Sequence, residues 1–132
     1  MSEPLVRVEQ LDHVHFHVPD LRVACEWYRA TLGLEKVDAL SSGADGHGPL
    51  VVSSDSGNTG IALFVGEPVA NGETVAFRTD GASFLAFETG FGGRVERLRV
   101  DHTYCFSHYF SDPWGNPLEL TTYEHEVVRA SK

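Results

Sequence analysis

The chain has 132 residues, 42% hydrophobic and 22% charged, with a formal net charge of −9. Its length suits one compact domain with its own core. Ten basic residues, only two of them lysines (Lys36 and Lys132), argue against a nucleic-acid partner, and no apolar run approaches the roughly 18 residues of a membrane helix. The opening MSEPLVRVEQ lacks an apolar leader core, so a cytoplasmic location is expected. The acidic surface permits a cationic ligand and serves solubility. Cys25 and Cys105 fall in apolar patterns and read as buried free thiols.

Leu11–Val18 alternates and predicts a strand. Pro19–Asp20 starts a helix with Asp20 as N-cap. Leu21, Ala24, Cys25, Tyr28 and Leu32 form its apolar stripe, and Gly33 stops it. Leu34–Leu40 reads as a strand, followed by the loop SSGADGHG; Pro49–Ser53 and Gly60–Val65 are short strands around SDSGNT. Residues 66–73, GEPVANGE, read as a connector.

The order then repeats. Thr74–Thr79 predicts a strand, 82–91 a short helix opened by Asp80–Gly81 and frayed by glycines, and Val95–Val100 an edge-like strand. Tyr104–Ser111 and Pro117–Tyr123 are strands joined by DPWGN, where Asp112, Pro113 and Gly115 suit a type I turn. The tail EHEVVRASK reads as polar and loosely held. Two halves with one order of elements form an internal repeat, each a sheet with one face under a helix. Two such halves can join edge to edge or curl around a shared cleft.

In HVHFHV, alternation puts Val14, Phe16 and Val18 on the helix side and His13, His15 and His17 on the opposite face. Glu119 alternates with Leu118 and Leu120, so it too faces away from the core, with Thr121 and Tyr123. His13 and Glu119 can hold a metal or work as acid and base without one. His15 and His17 divide evenly between pocket and structural roles. Ser107 and Tyr109 point one way along their strand and His108 the other, packed or exposed.

LDHVHFHVPDLRVACEWYRATLGL resembles the opening strand and helix of vicinal oxygen chelate proteins, the glyoxalase, bleomycin-resistance and extradiol-dioxygenase superfamily. TVAFRTDGASF is similar to the start of its second module and YFSDPWGNPLELTTYE to its closing hairpin, so the resemblance covers about 11–124. It implies an α+β fold of two βαβββ modules, 11–65 and 74–123, forming a U-shaped half-barrel around a divalent metal (Fe, Mn, Zn or Ni). The superfamily's metal ligands map onto His13 and Glu119. Its other two ligand positions fall on Thr74 and near Ala62, where this sequence departs from the pattern. Three outcomes stay open: the metal is lost and the cleft only binds; a neighbouring histidine (His15, His102 or His47) substitutes; or water and substrate complete a weak site.

The resemblance also implies a catalytic Tyr109 touching a substrate oxygen beside Glu119, since Tyr109 lies ten residues before it. His15, His17, Phe64, Thr74 and Trp114 are the expected substrate contacts, Trp114 as an exposed ring that stacks on a ligand. The superfamily often forms two-fold dimers, so a homodimer is expected. Two functions follow: a metal-dependent lyase or ring-cleaving dioxygenase acting on a small oxygenated organic substrate, or a metal-free binding protein of the antibiotic-resistance kind. No nucleophile elbow, P-loop, dinucleotide fingerprint or CxxC pair points elsewhere.

Overall fold

Alternating β-branched and aromatic residues favour extended chain, and β1 (His13–Val18) is that segment. A computed structural model describes residues 3–7, 9–41, 48–67 and 74–132; His47 and residues 68–73 of the expected connector lie outside these. The chain forms two compact units, Met1–Glu67 and Pro68–Lys132.

In the first unit β1 leads to α1 (Leu21–Leu32), then β2 (Glu35–Lys36), β3 (Leu50–Ser53) and β4 (Gly60–Val65). The Asp20 carboxylate accepts the Val23 N–H at 3.0 Å and caps the helix start. Gly33, at φ +70°, ends the helix, with its own N–H on the Arg29 carbonyl and the Leu34 N–H on that of Tyr28. Only glycine adopts this left-handed turn without a Cβ penalty. The sheet order is β1-β4-β3-β2, with β1 parallel to β4 and the other pairs antiparallel. The unit's core is Val18, Ala24, Tyr28, Leu34, Val52, Ile61 and Leu63.

The strand expected over Leu34–Leu40 is shorter than its composition suggests. Glu35 and Lys36 pair with Ser53 and Val52, the Val37 N–H adds one bond to the Val51 carbonyl at 2.8 Å, and Asp38–Leu40 is a 3-10 turn. Ser41 diverts the chain: its hydroxyl donates to the Val37 carbonyl at 2.7 Å and accepts the Val51 N–H at 3.0 Å, replacing ladder bonds.

The second unit repeats the plan with β5 (Val75–Arg78), α2 (Gly81–Gly90), β6 (Val95–Asp101), β7 (Phe106–Ser111) and β8 (Pro117–Thr122), sheet order β5-β8-β7-β6. Again the first and last strands are parallel. Each unit is thus a βαβββ module with an open four-stranded sheet, and the fold is α+β. In the β7–β8 turn the Asp112 carboxylate accepts the N–H groups of Trp114 and Asn116, and the Gly115 N–H closes on the Asp112 carbonyl at 3.1 Å.

The tail is not loosely held. It forms a short helix, α3 (His125–Arg129), and Val128 is fully buried. The Glu124 carboxylate accepts the Gly81 N–H at 2.7 Å. A Cβ on Gly81 would meet Val127 at 2.7 Å, so a glycine there lets α2 and α3 approach closely. Composition marked the tail as polar, but one buried valine and these bonds hold it down.

The core of this unit includes Phe84, Phe110, Leu118, Leu120 and Val128, with His108 among its buried polar residues. His108 is fully buried and stacks on Phe84 at 3.8 Å between ring centroids. Its Nδ1 accepts the Arg99 N–H at 3.2 Å, which requires the neutral ring, and Nε2 donates to the Phe84 carbonyl at 3.4 Å. Arg99, at φ +49° in the irregular β6, grips Glu88 with two bonds of 2.6 and 2.8 Å and donates to the Ser131 carbonyl.

Burial pushes the His108 imidazole below its ordinary value, and hydrogen bonding to Arg99 holds the Glu88 carboxyl below the usual range. For both, the unfolded chain takes up the proton first on acidification, so both shifts lower stability as pH falls. His108 acts below about 6.5, and Glu88 below about 4.3. Melting temperature should therefore fall from pH 7.5 to 5, and His108→Phe should flatten that slope from its lower starting stability. An unchanged slope in His108→Phe would show that this imidazole is not the titrating group.

Candidate functional site

The first unit assembles a histidine face from strand register. His13, His15 and His17 pair across the β1–β4 ladder with Gly60, Ala62 and Phe64, and laterally paired residues share a face. His13 Nδ1 lies 2.7 Å from the Asp12 carboxylate, and its Nε2 lies 2.9 Å from His15 Nε2. With Nδ1 donating to the Asp12 carboxylate, Nε2 is the ring nitrogen turned toward His15. The His15 ring rests against Phe64 at 4.8 Å between centroids, and His17 contacts the same phenyl ring at 6.1 Å. Beside them lies a cavity of about 170 Å³ lined by Asp12, His13, His15, Leu40, Pro49, Val51, Gly57, Gly60, Ala62 and Phe64. A larger hollow of about 790 Å³, lined among others by Asp20, Cys25, Glu26, Lys36 and Leu50, holds none of the residues predicted for the site. Size alone does not select the chemistry, and the smaller cavity is the one with converging nitrogen donors.

In the second unit Glu119 sits on β8 between Ala76 of β5 and Tyr109 of β7. Its Oε2 accepts the hydroxyls of Ser107 at 2.7 Å and Thr121 at 3.0 Å. The two hydroxyls also lie in contact with each other, and with one proton apiece they make two of these three bonds at a time, which still fixes the carboxylate. The Tyr109 side chain also interacts with this carboxylate. Tyr109 lies on the same face, half-buried, with its hydroxyl 2.9 Å from His102 Nε2 and the Arg97 guanidinium 4.8 Å over its ring. Burial, reinforced by the Glu119 carboxylate, pushes the phenol above its ordinary value, so Tyr109 stays protonated and is available as a hydrogen-bond donor.

Register and burial locate the remaining predicted residues. Thr74 is exposed just before β5, and Ala62 is buried with no donor to offer. Trp114 is half-buried in the β7–β8 turn rather than exposed, and its backbone N–H donates to the Asp112 carboxylate. His102 is engaged with Tyr109, and His108 lies in the core. Cys25 and Cys105 are free and half-buried. Three contributors carried no recognised signal in the sequence. Asp12 is visible only as an acidic neighbour of His13, and Arg97 and Ser107 acquire meaning only through register with Tyr109 and Thr121.

Residues 10–120 match the family model described as Glyoxalase/Bleomycin resistance protein/Dioxygenase superfamily. The chain belongs to this superfamily. Solved structures agree with the assignment. An integron cassette protein from V. cholerae is similar at 27% identity and TM-score 0.67, over 90% of this chain and 98% of that one. The fosfomycin resistance protein FosX from Mesorhizobium loti shares the fold at 21% identity and TM-score 0.69, over 86% and 91%. A superfamily member from Sphaerobacter thermophilus does so at 21% and 0.69, over 87% and 98%. No curated protein matches the sequence. No helix among the described residues is long and apolar enough to cross a membrane.

Members of this superfamily often use a divalent metal, and the donors present suit one. His13 offers a ring nitrogen oriented by a carboxylate at Nδ1, an arrangement common among metal-binding histidines. Glu119 offers a carboxylate held by two hydroxyls. The departures are Thr74, a weak neutral donor, and Ala62. Among the described residues no three His, Cys, Asp or Glu side chains form a preformed metal cage.

Proposed function

We propose that this protein is a metal-dependent enzyme of the glyoxalase/dioxygenase type, acting on a small oxygenated organic substrate. His13 from the first unit and Glu119 from the second are the proposed metal ligands, as the superfamily's ligand positions imply. The observation that carries this reading is the Asp12–His13 contact at Nδ1, which orients the ring with Nε2 toward His15 Nε2 on the histidine face. When bound, the divalent ion supplies Lewis-acid polarisation of substrate oxygens, in lyase or ring-cleaving chemistry. Around it the chain's own groups act on the substrate. Tyr109 donates its hydroxyl hydrogen to a substrate oxygen, and His102 and Arg97 hold the phenol in place. Glu119 is the carboxylate offered to the cation, held by Ser107 and Thr121 at Oε2. His15, His17 and Phe64 form the substrate-facing wall of the first unit, and Thr74 and Trp114 add contacts in the second. A homodimer in the cytoplasm is the expected setting.

A second reading has its own observation. Ala62 is buried and apolar, and Thr74 is a poor ligand, which suits a metal-free binder of small antibiotic-type molecules. Metal analysis of protein purified without chelators separates the two. The enzyme reading expects about one Fe, Mn, Zn, Ni or Co per chain, or a melting temperature raised by added metal. Protein that neither carries nor responds to any of them would leave the binder reading standing.

A further inference from the structure

We infer that the first unit supplies two nitrogen ligands, His13 and His15, to a single late first-row divalent ion. This rests on the metal-dependent reading above and assigns the donor that the sequence otherwise lacks. The resemblance puts the superfamily's fourth ligand position near Ala62, which has no donor atom. Ala62 is the register partner of His15 across the β1–β4 ladder. The lost donor on β4 thus has an imidazole directly beside it on β1, and the small side of Ala62 leaves the adjoining cavity open.

The geometry suits shared ligation. Metal–nitrogen bonds of roughly 2.0–2.1 Å at a right angle place two nitrogens about 2.9 Å apart. The two Nε2 atoms are 2.9 Å apart, and the rings are nearly parallel, with an interplanar angle of 18°. A tetrahedral ion needs roughly 3.4 Å by the same arithmetic, within reach of a small side-chain rotation. Phe64 backs the His15 ring, and Asp12 holds the His13 ring. Asp12 accepts the Nδ1–H of His13, and the Nε2–Nε2 contact carries a hydrogen on one of its two nitrogens, so ligation releases that proton to water. Two imidazoles select Co²⁺, Ni²⁺, Cu²⁺ or Zn²⁺ over Mg²⁺ and Ca²⁺.

Calorimetric titration of the chelator-treated full chain with Ni²⁺, and the visible spectrum of its Co²⁺ form, test this without any substrate. His15→Ala should weaken Ni²⁺ binding by at least about tenfold and shift the Co²⁺ bands. His15→Phe, which keeps a ring against Phe64, should lose the same affinity with the fold intact by circular dichroism. Adding Ala62→His to His15→Ala should restore binding by returning the donor to β4. Wild-type affinity and spectrum in both His15 variants would overturn the inference. If His13→Ala and Glu119→Gln still lost the metal, the broader reading would survive. Absence of binding by the unaltered chain would overturn both.

Discussion

Replacing His13 with alanine should abolish tight binding of a divalent transition metal, and Asp12→Ala should weaken it by about 10- to 100-fold without removing a ligand. The two effects have different origins. His13 supplies the donor atom. Asp12, 2.7 Å from Nδ1, sets the tautomer and ring direction and raises the basicity of Nε2. Asp12→Asn keeps an acceptor for the Nδ1 proton but drops the charge, so it should fall between wild type and Asp12→Ala. Nickel titration of the three variants reads this order. Equal affinity in Asp12→Ala and wild type would mean that the contact only satisfies a surface histidine.

Phe84→Ala should cost about 3–5 kcal/mol of stability, a large share of the roughly 5–15 kcal/mol that holds a typical domain together. Phe84 is fully buried, and its ring covers His108 at 3.8 Å. Truncation leaves a void and removes the apolar cover from an imidazole that already lacks water. Phe84→Leu keeps most of the volume and should cost far less, about 1.5 kcal/mol or under. Urea unfolding of both variants measures the difference. A cost for Phe84→Ala below about 1 kcal/mol would mean that α2 contributes little to the core of its unit.

Much of the fold was legible because its signals are local. Asp20 and Gly33 bound α1 as capping chemistry predicts, and Gly60–Val65 is strand from end to end. Alternation in HVHFHV separated Phe16, toward Tyr28, from His15 and His17, against Phe64. The misreadings have local causes that pattern reading does not weigh. Ser41 takes over ladder bonds after Lys36, and a single valine in a polar tail anchors α3.

The sequence by itself determined the repeated order of elements and the two faces of β1. Each depends on spacing along one chain, where a period of two or of 3.6 residues assigns a face. Tertiary structure alone decided which side chains meet. The Nε2 atoms of His13 and His15 converge to 2.9 Å, though their α-carbons stand about 6.8 Å apart on an ideal strand. Asp12 turns His13, Ser107 and Thr121 fix Glu119, and Arg97 covers Tyr109. Except for Asp12, these partners come through cross-strand register or side-chain rotation, and neither is written in the order of residues on one strand.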